Sequence, residues 1–237
     1  MNYGVILASG KGTRMKTLSI PKQYYLIDDK PIFIYTLIAM LESNVFDKIY
    51  LAIHEDYYEM VKDYINKFVS SDCFNKIIIV FGGKERIDTI HNVIKEISKN
   101  VIGDDDVIVI HDAVRPFVTR QILEDSVHGA REYGAVVASV PAEDTMLISN
   151  DGKLIESIPN RSTLFRGQAP DSFRLKTLIE LEGKLSEENK KIITGTSHIC
   201  ILNNYPMHMI QGDAINFKIT TDSDLEVAKN IILSERS

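Results

Sequence analysis

From the N-terminus to Pro141, apolar runs of strand length alternate with amphipathic stretches of helix length, and this alternation limits the fold more than any other feature. A strand buried on both faces, followed by a helix that packs back on it, is the unit of a mostly parallel open sheet with helices on both faces. Residues 2–8 read as the first strand, Ile32–Leu41 as a helix begun at Pro31, Lys48–Ile53 as a strand and Tyr57–Phe68 as a helix. Lys76–Phe81 reads as a strand ending at Gly82 and Gly83, and Arg86–Ile97 as a helix with Ile87, Ile90, Val93 and Ile94 on one face. Asp106–Ile110 gives a strand that runs into His111 and Asp112, Thr119 caps the next helix, and Ala135–Val140 forms another strand. The expected fold class is α/β, Rossmann-like, in one domain spanning 1–237.

After Pro141 the rhythm changes. Residues 142–170 have no helical period and contain Asn150-Asp151-Gly152, a turn signal between two short apolar stretches. They read as a projecting β-hairpin arm. An isolated hairpin cannot bury its own faces, so the arm predicts packing against a second subunit, a homodimer. Beyond it, Ser172–Leu181 and Ser186–Lys191 read as helical, Met207–Gln211 and Asn216–Thr221 as the last strands, and Asp222–Leu233 as a closing helix.

The formal net charge is −6, and there is no long basic run, which argues against nucleic acid as the main partner. A hydrophobic share of 44% suits a soluble globule, and no apolar run is long enough to span a membrane. Cys73 and Cys200 stand in unlike surroundings without metal-ligand spacing and read as reduced thiols. With a first strand at the N-terminus and no leader pattern, the expected location is cytoplasmic.

Against that acidic background, residues 1–22 hold four basic residues, Lys11, Arg14, Lys16 and Lys22, and no acidic one. They surround a loop, Ala8-Ser9-Gly10-Lys11-Gly12-Thr13-Arg14, that follows the first strand. Glycines there let backbone N–H groups approach an anion closely, so the segment predicts a nucleoside triphosphate site. It is neither of two common phosphate loops. No G-x-x-x-x-G-K-[ST] string exists, and Met15 stands where a dinucleotide loop needs its third glycine.

LASGKGTRM followed by PKQ resembles the signature of the cytidylyltransferases that activate sugar-alcohol phosphates, a branch of the nucleotidyltransferases. That branch includes the 2-C-methyl-D-erythritol 4-phosphate and ribitol-5-phosphate enzymes. GGKERIDTI, HDAVRPF, PAEDTM, IPNRSTLFRGQAP and NFKITT follow in the same order over nearly the whole chain. The resemblance implies a nucleotidyltransferase fold, CTP and an alcohol phosphate as substrates, Mg²⁺, and a homodimer whose arm reaches the neighbour's site. It implies that Arg14, Lys22 and Lys218 act on the reacting phosphates, with Leu7, Ala8, Ser9, Gly10, Lys11 and Gly12 around the nucleotide. Gly82, Gly83, Lys84 and Thr89 resemble the segment that recognises cytosine, although a plain strand-to-helix turn would use the same residues. Asp112 and Arg115 order the substrates, with Asp112 near the metal; a structural ion pair is the alternative. Thr145 and Arg161 match residues that grip the alcohol phosphate from the arm, Arg161 through a bidentate guanidinium.

Three departures stand out: Ser9 for a smaller loop residue, Ala169-Pro170-Asp171 where Thr-Pro-Gln is frequent, and Thr194-Gly195 where Thr-Asp is common. The last two lie toward the acceptor pocket. They leave the alcohol phosphate open, and the arm string LFRGQAPDSF, with its Gly-Gln, resembles the ribitol-phosphate branch more than the methylerythritol branch, so ribitol 5-phosphate is the expected acceptor. An inert nucleotide-binding homologue is the reading from another class. Six retained charges, Arg14, Lys22, Asp112, Arg115, Arg161 and Lys218, argue against it.

Overall fold

A computed structural model describes residues 1–10, 20–193 and 195–234. In chain order the elements are β1 (Asn2–Ala8), β2 (Leu26–Ile27), β3 (Lys30–Pro31), α1 (Ile32–Glu42), β4 (Lys48–Ile53), α2 (Tyr58–Phe68), β5 (Ile77–Phe81) and α3 (Arg86–Ile97). They continue with β6 (Val107–Asp112), α4 (Arg120–Tyr133), β7 (Ala135–Pro141), β8 (Phe165–Arg174), α5 (Leu175–Gly183), α6 (Glu187–Ile192), α7 (Ser197–Leu202), β9 (His208–Gln211) and α8 (Asp222–Ser234).

Seven strands form one sheet in the order β5-β4-β1-β6-β8-β7-β9. β8 is antiparallel to both β6 and β7, and the other neighbouring pairs are parallel. β1 and β6 are nearly continuous apolar runs because both of their faces are covered. Ile6, Ile49, Leu51, Val107 and Val109 pack against α1, α2 and α4. The alternate residues Val5, Tyr50, Ile108, Ile110 and Phe173 pack against α3, α5 and α7. The mostly parallel sheet with helices on both faces is therefore the architecture that the alternating pattern implies, and most element limits agree to within a residue or two. The Thr119 hydroxyl accepts from the Ile122 amide at 3.3 Å, capping α4 as expected.

The second half departs from the sequence reading. Phe165–Arg174 is one strand of the main sheet, so residues 165–170 do not belong to the arm and Ser172 does not begin a helix. Ser172 and Phe173 instead pair with Val109 and Ile108 of β6, and α5 starts at Leu175. The excursion from the sheet is 142–164, and its expected hairpin is reduced to one antiparallel bridge, Ile148 with Ser157. Its turn is held by the Asp151 carboxylate, which accepts from the Lys153 and Leu154 amides at 2.8 and 2.9 Å. Asn216–Thr221 is not a strand. The Ile219 amide is spent on the Val114 carbonyl at 3.0 Å, and the Thr220 and Thr221 amides on the Asp224 carboxylate at 2.8 Å each, which turns the chain into α8. α7, with buried Ile199 and Cys200, has no counterpart in the sequence reading.

Candidate active site

β5, β4, β1 and β6 run parallel, so their carboxyl ends share one edge of the sheet, where ligands settle in open α/β folds. A cleft of about 700 Å³ lies along that edge. Its floor includes Leu7, Ser9 and Gly10 from the end of β1 and the turn Gly82-Gly83-Lys84 after β5, with Thr89 behind them on α3. Lys22, Asp112 and Lys218 line it as well. Segments more than 200 residues apart in the sequence numbering thus meet at one edge, as the strand-end motifs imply.

The wall formed by the turn after β5 is built by close backbone approach. A Cβ on Gly82 would stand 2.2 Å from the Ser9 Cβ, and one on Gly83 would stand 2.2 Å from the Asp88 Cβ. The Thr89 hydroxyl accepts from the Gly83 amide at 3.0 Å, donates to the Glu85 carbonyl at 3.2 Å and lies 3.2 Å from the Ser9 hydroxyl. Thr89 therefore ties the turn after β5 to the loop after β1 as well as lining the cleft. Gln23 does similar work on the residues either side of Ser9. Its Nε2 donates to the Ala8 and Gly10 carbonyls, each at 2.7 Å. Ala8 itself is 1% exposed and supports the cleft from beneath, its carbonyl also accepting from the Tyr24 hydroxyl at 2.9 Å.

Charge gathers at the β6 end. Arg86 Nη1 donates to Asp112 Oδ1 at 2.9 Å, Lys218 Nζ lies 3.0 Å from Asp112 Oδ2, and Arg115 Nε donates to the same oxygen at 3.3 Å. Lys22 Nζ donates to the carbonyl of Ile219, the residue next to Lys218, at 3.0 Å. Burial pushes the Asp112 carboxyl up, but Arg86, Lys218 and Arg115 outweigh it and hold its pKa well below 3.8. His111 is fully buried, its Nε2 3.0 Å from the Arg115 carbonyl, and burial drops its pKa to about 4, so it is neutral packing, not a ligand. Lys22, Lys84, Arg86 and Lys218 line the cleft against Glu55, Glu85 and Asp112, and the cations gathered around Asp112 suit this end to a polyanion.

Not every expected residue reaches the cleft. Lys11, Gly12 and Arg14 lie outside the described residues. Arg115 is buried behind Asp112, its Nη1 donating to the Asn216 carbonyl at 2.7 Å, so it supports the carboxylate and does not line the cleft. Thr145 and Arg161 are exposed on the arm, away from their own chain's cleft, and Arg161 Nη1 donates to the Glu143 carbonyl at 2.9 Å. Asp112 was also expected near a metal. Both of its oxygens are engaged by cations, and no group of three His, Cys, Asp or Glu able to hold a metal ion occurs among the described residues. This donor set does not fit a metal held by the protein alone.

The sequence reading missed Arg86, Gln23, His54 and Glu55, all of which line the cleft. Arg86 and Gln23 sit inside strings already singled out, GGKERIDTI and PKQ, but a basic residue opening a helix carries no sign of which carboxylate it will meet. His54 and Glu55 follow β4 and gave no local signal. No helix among the described residues is long and apolar enough to cross a membrane.

Residues 3–234 match the family model described as IspD, 2-C-methyl-D-erythritol 4-phosphate cytidylyltransferase. The fold is similar to that of Francisella tularensis 2-C-methyl-D-erythritol 4-phosphate cytidylyltransferase, with TM-score 0.77, 26% identity and 96% and 97% of the two chains covered. It is also similar to 4-diphosphocytidyl-2C-methyl-D-erythritol synthase from Anaerococcus prevotii, with TM-score 0.78, 21% identity and 98% and 96% covered. A further structure of a 4-diphosphocytidyl-2C-methyl-D-erythritol synthase gives TM-score 0.79 at 21% identity, with 98% of each chain covered. With a cation-lined cleft at the strand edge and a family match along almost its whole length, the chain belongs to the IspD family of cytidylyltransferases.

Proposed function

We propose that this chain transfers CMP from CTP to a polyol phosphate and that the acceptor is 2-C-methyl-D-erythritol 4-phosphate. The observation that carries the reading is the convergence at the end of the cleft of Arg86 and Lys218 on Asp112, with Lys22 beside them on the Ile219 carbonyl. A phosphate monoester is largely ionised at neutral pH, so its oxygen is already a nucleophile. It attacks the α-phosphorus of CTP, the bond from that phosphorus to the α–β bridging oxygen breaks, and pyrophosphate leaves with the electron pair. Two anions must approach and a third must depart, so the work of the site is charge neutralisation and alignment. No proton has to be removed. Lys22 and Lys218, with Arg14 from the loop, serve the reacting phosphates. Ser9, Gly10, Gly82, Gly83, Lys84 and Thr89 frame the nucleoside. A divalent cation such as Mg²⁺, whose preference is for phosphate oxygens, would add further charge neutralisation if it accompanied the triphosphate, beside Lys22 and Lys218.

The arm supports a homodimer. Met146, Leu147, Leu154, Ile155 and Ile158 are all exposed on it, and an apolar cluster of that kind marks a contact surface. In that assembly Thr145 and Arg161 serve the partner's acceptor site.

D-ribitol 5-phosphate is the second reading, favoured by the string LFRGQAPDSF with its Gly-Gln. Names of the family model and of the similar structures favour methylerythritol phosphate. Pyrophosphate release from CTP and Mg²⁺ with each acceptor in turn separates the two. Release with methylerythritol phosphate alone is the expected result. Release with ribitol 5-phosphate alone would replace the acceptor, and CTP binding without release on either would leave a nucleotide binder.

A further inference from the structure

Asn216 is fully buried in the loop between β9 and α8 that also carries Lys218. Its Nδ2 donates to the Ala169 carbonyl of β8 at 2.7 Å, and its backbone carbonyl accepts from Arg115 Nη1 at 2.7 Å. A carbonyl needs a donor, so the bond to Ala169 fixes which way round the side-chain amide sits. Arg115 Nε donates in turn to Asp112 Oδ2 at 3.3 Å, the same oxygen that Lys218 Nζ approaches at 3.0 Å. The contacts close a ring. It runs from Asp112 through Arg115 to the Asn216 backbone, along Phe217 to Lys218, and through the ammonium back to the carboxylate. The Asn216 side chain ties the loop side of that ring to β8. Two further bonds hold the loop on either side: the Asp213 carbonyl accepts from Gln168 Nε2 at 2.8 Å, and the Ile219 amide donates to the Val114 carbonyl at 3.0 Å.

A lysine reaches its partner on a flexible four-carbon stem, so where its ammonium rests depends on where the backbone starts it. Asn216 Oδ1 is buried and has no hydrogen-bond partner among the described residues, which leaves the bond to Ala169 as the contact its side chain makes. An apolar residue of the same size would fill the space without that cost, but it could not hold the β8 carbonyl. We infer that Asn216 is a positioning residue for Lys218: by tying the loop to β8 it sets the backbone from which the ammonium reaches both Asp112 and the cleft. Ile219 has its own anchor on Val114, so the carbonyl that Lys22 uses does not depend on Asn216. Without the amide, the loop is free to shift between its outer anchors and Lys218 loses its fixed place. The role in turnover rests on the cytidylyltransferase reading; the geometric claim does not.

The first test needs no substrate. Asn216→Ala and Asn216→Ser are made in the full chain, labelled briefly with acetic anhydride and read by mass spectrometry at Lys218 and at Lys48. Lys48 is the control, a half-buried lysine at the start of β4 whose Nζ donates to the Asn75 carbonyl at 2.6 Å, away from the strand edge that forms the cleft. Asn216→Ser keeps a polar group in the buried space but stops one atom short of the amide nitrogen, and it carries the test if the alanine variant does not fold. Labelling at Lys218 should rise about threefold with Lys48 unchanged, the mark of a local opening. An unchanged rate at Lys218 would overturn the inference, and so would an equal rise at Lys48, which would place Asn216 in the general stability of the fold. Turnover gives the second test. Asn216→Ala should lower kcat by about tenfold with KM for CTP changed less than about twofold, and in the Lys218→Ala chain it should cost less than about twofold, since the residue it acts through is gone. Equal losses in both backgrounds would contradict the inference. Faster labelling at Lys218 in a protein that turns over no acceptor leaves the geometry intact and removes the functional reading alone.

Discussion

Lys218 Nζ stands 3.0 Å from Asp112 Oδ2, joining a loop near the C-terminus to the end of a central strand. Arg86 and Arg115 complete the same carboxylate from α3 and from the loop after β6. Asp112 is thus the hub on which three cations from separate segments are assembled, and its charge is what holds them together at the end of the cleft.

Asp112→Asn leaves Arg115 buried opposite a neutral amide. A loss of stability of about 3 kcal/mol is expected, the scale for breaking one partner of a buried pair. Asp112 has its pKa depressed by folding, so its contribution is present above pH 3.8 and lost as pH falls below it. Denaturant midpoints should therefore separate wild type from Asp112→Asn at neutral pH and converge in strong acid. A constant gap down to the lowest pH would show that the carboxylate is not held by these cations.

Asp171 behaves in the opposite sense. Folding raises its pKa from 3.8 to about 6, so the folded state binds the extra proton between those values and stability falls as pH rises through that window. Asp171→Asn should be more stable than wild type above pH 6, by about 3 kcal/mol for a shift of this size, and no more stable below pH 4. Melting temperatures across pH 3–8 check both ends. A stabilisation that does not depend on pH would place the effect in packing.

Much of this site was legible in the sequence, but unevenly. Gly82, Thr89, Asp112 and Lys218 stand in strings that could be quoted whole, because a strand end followed by a turn leaves a local pattern. The strands themselves were readable since β1 and β6 are nearly continuous apolar runs. What escaped was relational. Nothing local in Ser172-Phe173 favours a strand over a helix; β6 decides it by offering Val109 and Ile108 as partners. Asn216–Thr221 alternates as a strand does, yet its amides go to Val114 and Asp224, which lie outside any sheet. Arg86 looked like an ordinary helix-opening residue until β6 brought the Asp112 carboxylate to it.

Gly82→Ala puts a methyl group 2.2 Å from the Ser9 Cβ. The turn after β5 and the loop after β1 must then separate, at a cost of about 1–3 kcal/mol for a forced contact of this kind. Affinity for CTP should fall by about tenfold, and Ser9→Gly in the same chain should restore part of it by removing the atom that clashes. Isothermal titration with CTP reads both. Unchanged affinity in Gly82→Ala would show that this close approach does not shape the nucleoside pocket.

Arg161→Ala is expected to weaken the acceptor and spare CTP, because Arg161 lies on the arm and away from its own cleft. A 1:1 mixture of Arg161→Ala with Lys22→Ala subunits should recover about a quarter of wild-type activity if each arm serves its partner. A mixture as inactive as its parents would confine Arg161 to its own subunit. Ile155→Asp with Ile158→Asp should leave a monomer by light scattering, since both side chains are exposed on the arm.

The central claim is that cations neutralise and align two phosphates. Lys22→Ala tests it most directly, with kcat read from pyrophosphate release and Kd from CTP titration of the same preparation. Charge on the leaving group builds up as the bond breaks, so kcat should fall by about 100-fold while Kd changes less than threefold. Equal losses in kcat and in affinity would show that Lys22 only holds the ground-state triphosphate, and the account of the cleft as a site built for the transition state would be wrong.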